Sequence, residues 1–239
     1  MKKPQEYIVF PLDLPTFDRA ISYVKALDGH VGLFKVGLEL FIAQGPAILK
    51  AIGDTTGAGI FLDLKLHDIP ATVKRAFLAA SQYCPRFVTI HCDEGGEILR
   101  DVARENPGDT KILAVTVLTS LNQEKLRALG YAPAYADDIS RLVLLKARMA
   151  KAAGCHGVVC SGLEAAAVRR EIGPGMVLVT PGIRPAWTVV EGDDQERIVT
   201  PADAVRNGSD YVVIGRPIRD AKDPRDAAQR VADEIASAL

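Results

Sequence analysis

Short apolar runs rich in β-branched residues alternate along this chain with longer segments of amphipathic or Ala-rich character. Several of the runs lack the polar alternation of a half-exposed strand, which is typical of strands that protein covers on both faces. We predict eight strands, at 7–13, 32–39, 59–66, 86–92, 111–119, 157–161, 176–181 and 211–216. Helix-like segments lie between them, for example at 16–27, 71–84, 137–153, 164–172 and 201–207.

Strand–helix alternation repeated eight times in 239 residues favours an α/β fold, a single (β/α)8 TIM barrel, over an open doubly wound sheet. No linker of low complexity interrupts the alternation, so we predict one domain over residues 1–239. Active sites in this architecture collect at the carboxyl ends of the strands and in the loops after them. Polar residues at those ends are therefore candidates for a site, whereas polar residues elsewhere are scaffold.

The segment at 59–70, GIFLDLKLHDIP, places an acid, a base and a second acid at the end of an apolar strand. Alternate residues of a strand share a face, so Asp63 and Lys65 should point the same way, with Asp68 just beyond in the loop. Charges in such places are rarely buried unless they are paired. The group is either part of an active site or an ion-pair cluster that fastens the strand end.

Other predicted strands also carry charges or hydroxyls at their carboxyl ends. Strand 1 ends in Asp13, strand 2 contains Lys35, and strand 5 ends in Thr119 and Ser120. Several such groups directed at one mouth of a barrel favour an active site over a structural cluster.

The last two predicted strands end in a different kind of sequence, TPGIRP at 180–185 and VIGRPI at 213–218. Loops after strands 7 and 8 of a barrel often bind phosphate, through backbone N–H groups that glycine leaves accessible and through a guanidinium fork. Gly182, Gly215 and Arg216 are the predicted phosphate ligands. The polar segment 185–197 lies between these two sequences and is long enough to be a lid over a ligand. The alternative is an ordinary surface loop.

Charge and cysteine content narrow the class of partner. The 29 Lys and Arg residues nearly balance the 30 Asp and Glu residues, which argues against nucleic acid or a membrane surface and for a small molecule. Four scattered cysteines without a CxxC pair indicate neither a zinc nor a redox site; we expect a cytoplasmic protein with buried structural thiols. The apolar run at 7–10 is too short for a signal peptide or a membrane span.

These motifs, taken together over nearly the whole chain, resemble the orotidine 5′-phosphate decarboxylase family. The carriers are LD at 12–13, FKVG at 34–37, FLDLKLHDIP at 61–70 with Thr72, VTVLTS at 115–120, PGIR at 181–184, DQ at 194–195 and GR at 215–216. The resemblance implies conversion of orotidine 5′-phosphate to UMP without a metal or cofactor. A departure from the family pattern is HCDEGG at 91–96, which carries two extra acids after strand 4.

The resemblance also implies a role for each matching residue. Lys35, Asp63, Lys65 and Asp68 would form the charged catalytic array, with Asp68 reaching into the site of a second subunit and therefore implying a homodimer. Asp13 and Thr72 would bind the ribose hydroxyls, and Thr119 would lie by the pyrimidine. The phosphate would be held by Arg184, Gln195, Gly215 and Arg216.

The residue types suit the reaction. Loss of CO₂ from carbon 6 of the pyrimidine leaves a carbanion in the ring plane, where the π-system cannot delocalise it. A fixed ammonium stabilises this charge and then delivers a proton, a role that Lys65 can fill. Asp63 and Asp68 should keep Lys65 protonated, and Asp63 would repel the substrate carboxylate until CO₂ departs.

Two alternatives remain open from the sequence. A related metal-dependent barrel that decarboxylates or synthesises sugar phosphates shares the D-x-K-x-x-D strand, but it holds Mg²⁺ with an acid on strand 2, where this chain has Lys35. A non-catalytic nucleotide-binding barrel is the other.

Overall fold

The computed structural model describes residues 2–188 and 199–239, and these contain eight parallel strands that close into a barrel in chain order. Each strand pairs with its neighbours in sequence, and β1 also pairs with β8. The strands are β1 Ile8–Pro11, β2 Leu33–Gly37, β3 Gly59–Leu66, β4 Phe87–His91, β5 Lys111–Val115, β6 Gly157–Val159, β7 Val177–Thr180 and β8 Tyr211–Val213. The predicted (β/α)8 barrel and all eight predicted strands are confirmed.

Helices follow the strands and cover the outside of the barrel. They are α1 Phe17–Leu27, α2 Leu38–Gln44, α3 Ala47–Thr55, α4 Pro70–Ser81, α5 Gly96–Glu105, α6 Gln123–Ala128, α7 Pro133–Ala136, α8 Ile139–Ala152, α9 Ala165–Ile172, α10 Pro201–Arg206, α11 Arg216–Arg219 and α12 Pro224–Ala236. A 3₁₀ turn, Pro4–Tyr7, precedes β1. None of the helices in the described ranges is long and apolar enough to cross a membrane.

Several predicted strands extend too far at their carboxyl ends. The prediction for strand 2 ran to residue 39, but α2 begins at Leu38, and the prediction for strand 8 ran to Arg216, which begins α11. Strand 5 ends at Val115, four residues before Thr119. Apolar residues continue past the strands; Val117 and Ile214 are buried, whereas Leu38 is 49% exposed. Asp13, Thr119 and Arg216 consequently lie in loops or at a helix start just above the strands, whereas Lys35, Asp63 and Lys65 lie within β2 and β3.

Two apolar layers hold the barrel together. The larger layer lies between strands and helices and includes residues such as Phe34, Phe77 and Ile235. The smaller layer fills the barrel interior, with Val9, Leu33, Phe61, Phe87, Leu113, Val179, Tyr211 and Val213. Phe87 packs edge to face against Phe61 and Tyr211, with ring centroids 5.9 and 5.4 Å apart. This interior is a packed plug, so a ligand can enter only above it.

The pairing of β3 with β4 is irregular at the end of β3. Between two paired positions β3 advances from Leu62 to Leu66, whereas β4 advances only from Val88 to Ile90. The two additional residues of β3 form a bulge, and Lys65 within it has a φ of 48°. Left-handed backbone is uncommon outside glycine, and strands at active sites often bulge in this way to redirect a side chain. The bulge therefore sets the direction of Lys65.

Candidate active site

A cavity of about 420 Å³ opens at the carboxyl ends of the strands, directly above the barrel plug. Phe61 belongs to both the plug and the cavity wall and so forms part of its floor. The cavity brings together most of the residues predicted from sequence. Those that line it are Asp13, Lys35, Asp63, Lys65, Thr119, Gly182, Arg184, Gly215 and Arg216.

Four of these residues form a chain of alternating charge. The Lys65 Nζ donates to Asp63 Oδ2 at 2.7 Å, and Lys35 Nζ lies 3.5 Å from the same oxygen. Lys35 Nζ also donates to Asp13 Oδ1 at 3.2 Å. Asp63 and Lys35 have side chains only 10% and 13% exposed, while Lys65 is 33% exposed toward the cavity. The predicted pairing of Asp63 and Lys65 on one face is confirmed.

Mutual attraction keeps the buried members of this chain ionised. Burial alone would raise the pKa of Asp63, but the positive charges of Lys35 and Lys65 outweigh burial and hold that pKa below its usual range. Burial likewise acts to lower the pKa of Lys35, yet Asp63 and Asp13 together raise it. The cavity therefore presents fixed charges of both signs rather than neutral acids and amines.

Thr89, which the sequence analysis did not single out, supports this array from β4. Its hydroxyl donates to Asp63 Oδ1 at 2.9 Å, and the Thr89 Oγ1 accepts the backbone N–H of Lys65 at 2.8 Å. Thr89 is completely buried. The sequence shows a hydroxyl residue within the apolar run 86–92. It does not show that this hydroxyl contacts Lys65 in the bulge of β3.

Gly37 permits the close approach of Asp13, which follows β1, to Lys35 on β2. A Cβ at this position would lie 3.1 Å from Lys35 Nζ and 3.3 Å from Asp13 Oδ1, closer than most real Cβ contacts. Gly37 is also the register partner of Asp63 on β3. A side chain here would compete with the ion pair for the same space.

The loops after β7 and β8 contribute the predicted phosphate ligands to the cavity wall. Gly182 has a φ of 76°, a conformation that favours glycine, and it precedes the buried Arg184 by two residues. Gly215 lies against Pro11, where a Cβ would approach Pro11 Cγ to 3.0 Å. Arg216 follows at the start of α11. Gln195 and most of the segment 185–197 predicted as a lid fall among residues 189–198, outside the described part of the chain.

Asp68 and Thr72 do not line this cavity. Asp68 is exposed, and its Oδ1 accepts the backbone N–H of Ile69 at 2.6 Å. Thr72 lies in the first turn of α4, beside Ile69, whose side chain is 66% exposed. Within a single chain, Asp63 and Lys65 therefore line the cavity, whereas Asp68, the last acid of the motif, does not.

The cavity also includes residues that sequence reasoning missed. Arg219 adds a third guanidinium at the mouth and donates to the Asp13 carbonyl at 3.5 Å. The apolar members are Pro11, Phe61, Val115, Val117, Leu118, Val159, Cys160, Pro181 and Val213. The spacing of Arg219 from Arg216 on α11 was the signal that could have found it. A cavity with an apolar wall and cations at one end suits a planar ligand that bears an anionic group.

Comparisons with known proteins agree on one family. The family model described as "Orotidine 5'-phosphate decarboxylase / HUMPS family" matches residues 6–231. A protein of Desulfosudis oleivorans named orotidine 5′-phosphate decarboxylase is 48% identical over 239 residues, covering 100% of this chain and 96% of the relative. A protein of that name from Anaeromyxobacter sp. strain K is 47% identical over 230 residues, covering 96% and 98% respectively. The crystal structure of orotidine 5′-phosphate decarboxylase from Lactobacillus acidophilus superposes with a TM-score of 0.81 at 34% identity, covering 95% of this chain and 98% of that one.

Proposed function

This chain belongs to the orotidine 5′-phosphate decarboxylase / HUMPS family, and from that premise we propose that it converts orotidine 5′-phosphate to UMP and CO₂. The observation that carries the proposal is the chain of charges Asp13, Lys35, Asp63 and Lys65 at the mouth of the barrel. The enzyme is a carboxy-lyase of pyrimidine biosynthesis. We also propose that residues 1–239 act as one catalytic domain, since the strands of the closed barrel extend from Ile8 to Val213.

Lys65 is the proposed proton donor. When the bond between carbon 6 and the carboxylate breaks, its electron pair stays on carbon 6 and CO₂ leaves. The ammonium of Lys65 stabilises that charge and transfers a proton to carbon 6, which yields UMP and a neutral amine that regains a proton from water. The 2.7 Å contact with Asp63 supports this role because it fixes the ammonium at the strand end.

Asp63 has the complementary role. A carboxylate close to the substrate carboxylate repels it, and the repulsion ends when CO₂ departs. The low pKa of Asp63 supports this role because the group stays ionised when a second anion arrives. Enzymes lower barriers by roughly 8–23 kcal/mol, which repulsion alone cannot supply. Preorganised charge and phosphate binding energy provide the remainder.

Substrate binding uses the rest of the cavity. Asp13 and Thr72 bind the ribose hydroxyls, Thr119 lies by the pyrimidine, and Arg184, Gln195, Gly215 and Arg216 hold the phosphate. The position of Gly182, Arg184 and Arg216 after β7 and β8, in the wall of the cavity that also contains the charged chain, supports this division. The guanidinium of Arg184 is buried, so an anion there would meet a donor held in place.

We propose a cytoplasmic homodimer in which Asp68 enters the site of the second subunit. The exposed Asp68 and Ile69 support this arrangement, because both lie outside the cavity of their own chain. Thr72 would enter with them, which accounts for its absence from the cavity wall. The scattered positions of the four cysteines, without a CxxC pair, fit a reducing compartment.

A metal-dependent sugar-phosphate enzyme is the second candidate, because the family model also includes the HUMPS branch. Lys35 counts against it. Its ammonium stands 3.2 Å from Asp13 and 3.5 Å from Asp63, so it neutralises the carboxylates that a divalent cation would need. A non-catalytic nucleotide-binding barrel would have no use for the buried ion pairs.

The test is the ultraviolet absorbance change of orotidine 5′-phosphate with purified protein in EDTA, run beside Lys65→Ala. Conversion to UMP by the wild type, with loss of turnover but retained UMP binding in the variant, is expected. No conversion by a folded protein that binds UMP would overturn the proposal. Turnover of a sugar phosphate that requires Mg²⁺, with none of orotidine 5′-phosphate, would favour the sugar-phosphate branch.

A further inference from the structure

A cluster of imidazoles and carboxylates lies at the ends of β3 and β4, outside the substrate cavity. It consists of His67, His91, Asp93 and Glu94, none of which lines that cavity. We propose that His67, His91 and Asp93 bind a divalent cation of the Zn²⁺ class, with Glu94 completing the ligand set. The inference concerns a site beyond the decarboxylation and stands independently of it.

The distances permit such a site. One ring nitrogen of each histidine and one carboxylate oxygen of Asp93 all lie within 4.8 Å of one another. His91 Nδ1 is already 2.9 Å from Asp93 Oδ2, and the two imidazole rings have centroids 5.1 Å apart. Ligand atoms around tetrahedral Zn²⁺ stand roughly 3.3 Å from one another, given Zn–N distances of about 2.0 Å. Rotation of the exposed His67 side chain supplies the remaining approach.

Asp93 is held as a ligand would be. Its Oδ1 accepts from Lys146 Nζ at 2.5 Å and from the Tyr131 hydroxyl at 3.4 Å, while Oδ2 faces His91. Lys146 is buried, so this support comes from the packed interior through α8. Ligand groups in metal sites are commonly oriented by hydrogen bonds of this kind. One oxygen is fixed, and the other is directed into the cluster.

Glu94 supplies a second observation. Both of its carboxylate oxygens are inaccessible to solvent; Oε1 contacts His67 Nε2, and Oε2 has no hydrogen-bond partner among the described residues. A buried carboxylate oxygen without a partner is unfavourable, because nothing replaces the water it has lost. A cation bound between Glu94 and the imidazoles would compensate that loss.

The ligand types select the class of metal. Two imidazole nitrogens with one or two carboxylate oxygens suit Zn²⁺ and its substitute Co²⁺, whereas Mg²⁺ prefers an all-oxygen shell. Lys146 opposes any cation, but Asp93 and Glu94 together leave one net negative charge when the histidines are neutral. The two acids come from HCDEGG at 91–96, the segment that departs from the family pattern and that the proposed reaction leaves without a role.

A bound ion would connect the ends of two strands that carry the active site. His67 follows Lys65 by two residues and immediately precedes Asp68, and His91 is the last residue of β4. The ion would restrain the loop after β3 without contacting the substrate. Its expected effects are therefore on the thermal unfolding midpoint and on metal affinity, while the chemical step does not use it.

The experiment uses the untagged full-length protein, stripped with EDTA and dialysed. Zn²⁺ is titrated by calorimetry, and Co²⁺ is followed by its visible absorption. We expect one ion per chain, a higher melting temperature with Zn²⁺, and at least a tenfold increase in Kd for His67→Gln and for His91→Gln. His30→Gln and Cys84→Ser, which remove a histidine and an exposed thiol outside the cluster, should bind as the wild type does.

Two results would overturn the site. One is a wild type that takes up no stoichiometric Zn²⁺ or Co²⁺, and the other is wild-type affinity in His67→Gln. Circular dichroism checks the fold of each variant. If His91→Gln misfolds, the metal affinity of His67→Gln alone tests the site, because His67 is exposed. Unchanged turnover in EDTA would support the decarboxylase proposal whether or not the titration detects a bound metal ion.

Discussion

Thr89 on β4 donates its hydroxyl proton to Oδ1 of Asp63 on β3 at 2.9 Å, within a fully buried contact. The same hydroxyl oxygen accepts the backbone N–H of Lys65, whose φ is 48°. One side chain therefore fixes both the carboxylate and the backbone bulge from which the proposed proton donor extends. Strained backbone persists at functional sites only where neighbouring structure supports it.

Thr89→Val should lower kcat about tenfold or more, with a smaller effect on the KM for orotidine 5′-phosphate. Valine keeps the shape but removes the hydrogen bond, at a cost of roughly 1–3 kcal/mol for the unsatisfied partners. Steady-state kinetics measure the split between the two constants. Thr89→Ser, which keeps the hydroxyl, is the matched control and should restore most of kcat. Equal losses in both variants would show that packing rather than the hydrogen bond matters.

The sequence predicted the barrel because the strands are buried on both faces and therefore appear as apolar runs. It did not predict where those runs leave the sheet, since loop residues such as Val117 and Leu118 are also apolar. The bulge at Lys65 was equally hidden, because it depends on a register shift between β3 and β4. Alternation nevertheless predicted that Asp63 and Lys65 lie together, although Lys65 is in the bulge and not in regular strand.

Charged residues at the ends of apolar runs were predictable from the sequence, whereas partners whose contact depends on the pairing of β3 with β4 were not. Asp63 and Lys65 lie on the same strand, whereas Thr89 and the His67–His91 pair become neighbours only through strand pairing. The expectation of buried thiols is confirmed for three cysteines but wrong for Cys84, which is exposed. Cys84 lies in a turn after α4 and has a φ of 51°, a conformation that the local sequence does not predict.

Arg216→Ala should raise the KM for orotidine 5′-phosphate roughly 10- to 100-fold, because charge-assisted hydrogen bonds contribute about 1.5–3 kcal/mol. The matched comparison is orotidine, which lacks the phosphate. The variant and the wild type should process orotidine with similar kcat/KM, since neither can use that contact. A comparable loss on both substrates would remove Arg216 from the phosphate site.

Hybrid dimers test the proposed entry of Asp68 into the second subunit. Lys65→Ala and Asp68→Asn should each be inactive alone, yet coexpression should restore about a quarter of wild-type activity. Half of randomly assorted dimers are hybrids, and each hybrid has one site with both residues intact. Size-exclusion chromatography with light scattering checks the dimer itself. If Asp68 serves its own chain, the coexpressed mixture stays inactive.

One of the four thiols should react rapidly with a disulfide reagent in the native protein, and all four should react after denaturation. Cys84 is exposed, whereas Cys92, Cys155 and Cys160 are buried. Burial also raises the pKa of Cys155 to about 12, so almost no reactive thiolate is present at neutral pH. Cys84→Ser should abolish the rapid phase. A second rapid thiol would mean that the barrel opens more readily than its packing indicates.

The pH dependence of stability should report the charge of Asp63. Its pKa in the folded protein lies below that of the unfolded chain, because Lys35 and Lys65 outweigh burial. The unfolded state therefore binds the proton first, and the stabilisation is present above about pH 4 and is lost as the pH falls through the folded value. Asp63→Asn should be less stable than the wild type at pH 7, since two lysines then lose their shared counter-ion.

That difference should shrink as the pH falls below about 4, because the unfolded wild type then binds a proton that the folded protein takes up only at lower pH. Denaturant unfolding at a series of pH values measures it. Asp54→Asn is the control, since Asp54 pairs with Lys50 at 2.7 Å on the exposed face of α3. Exposed pairs are screened by water and contribute little, so this variant should follow the wild type throughout. A pH-independent deficit in Asp63→Asn would instead assign the loss to the hydrogen bond with Thr89, which an amide keeps only in part.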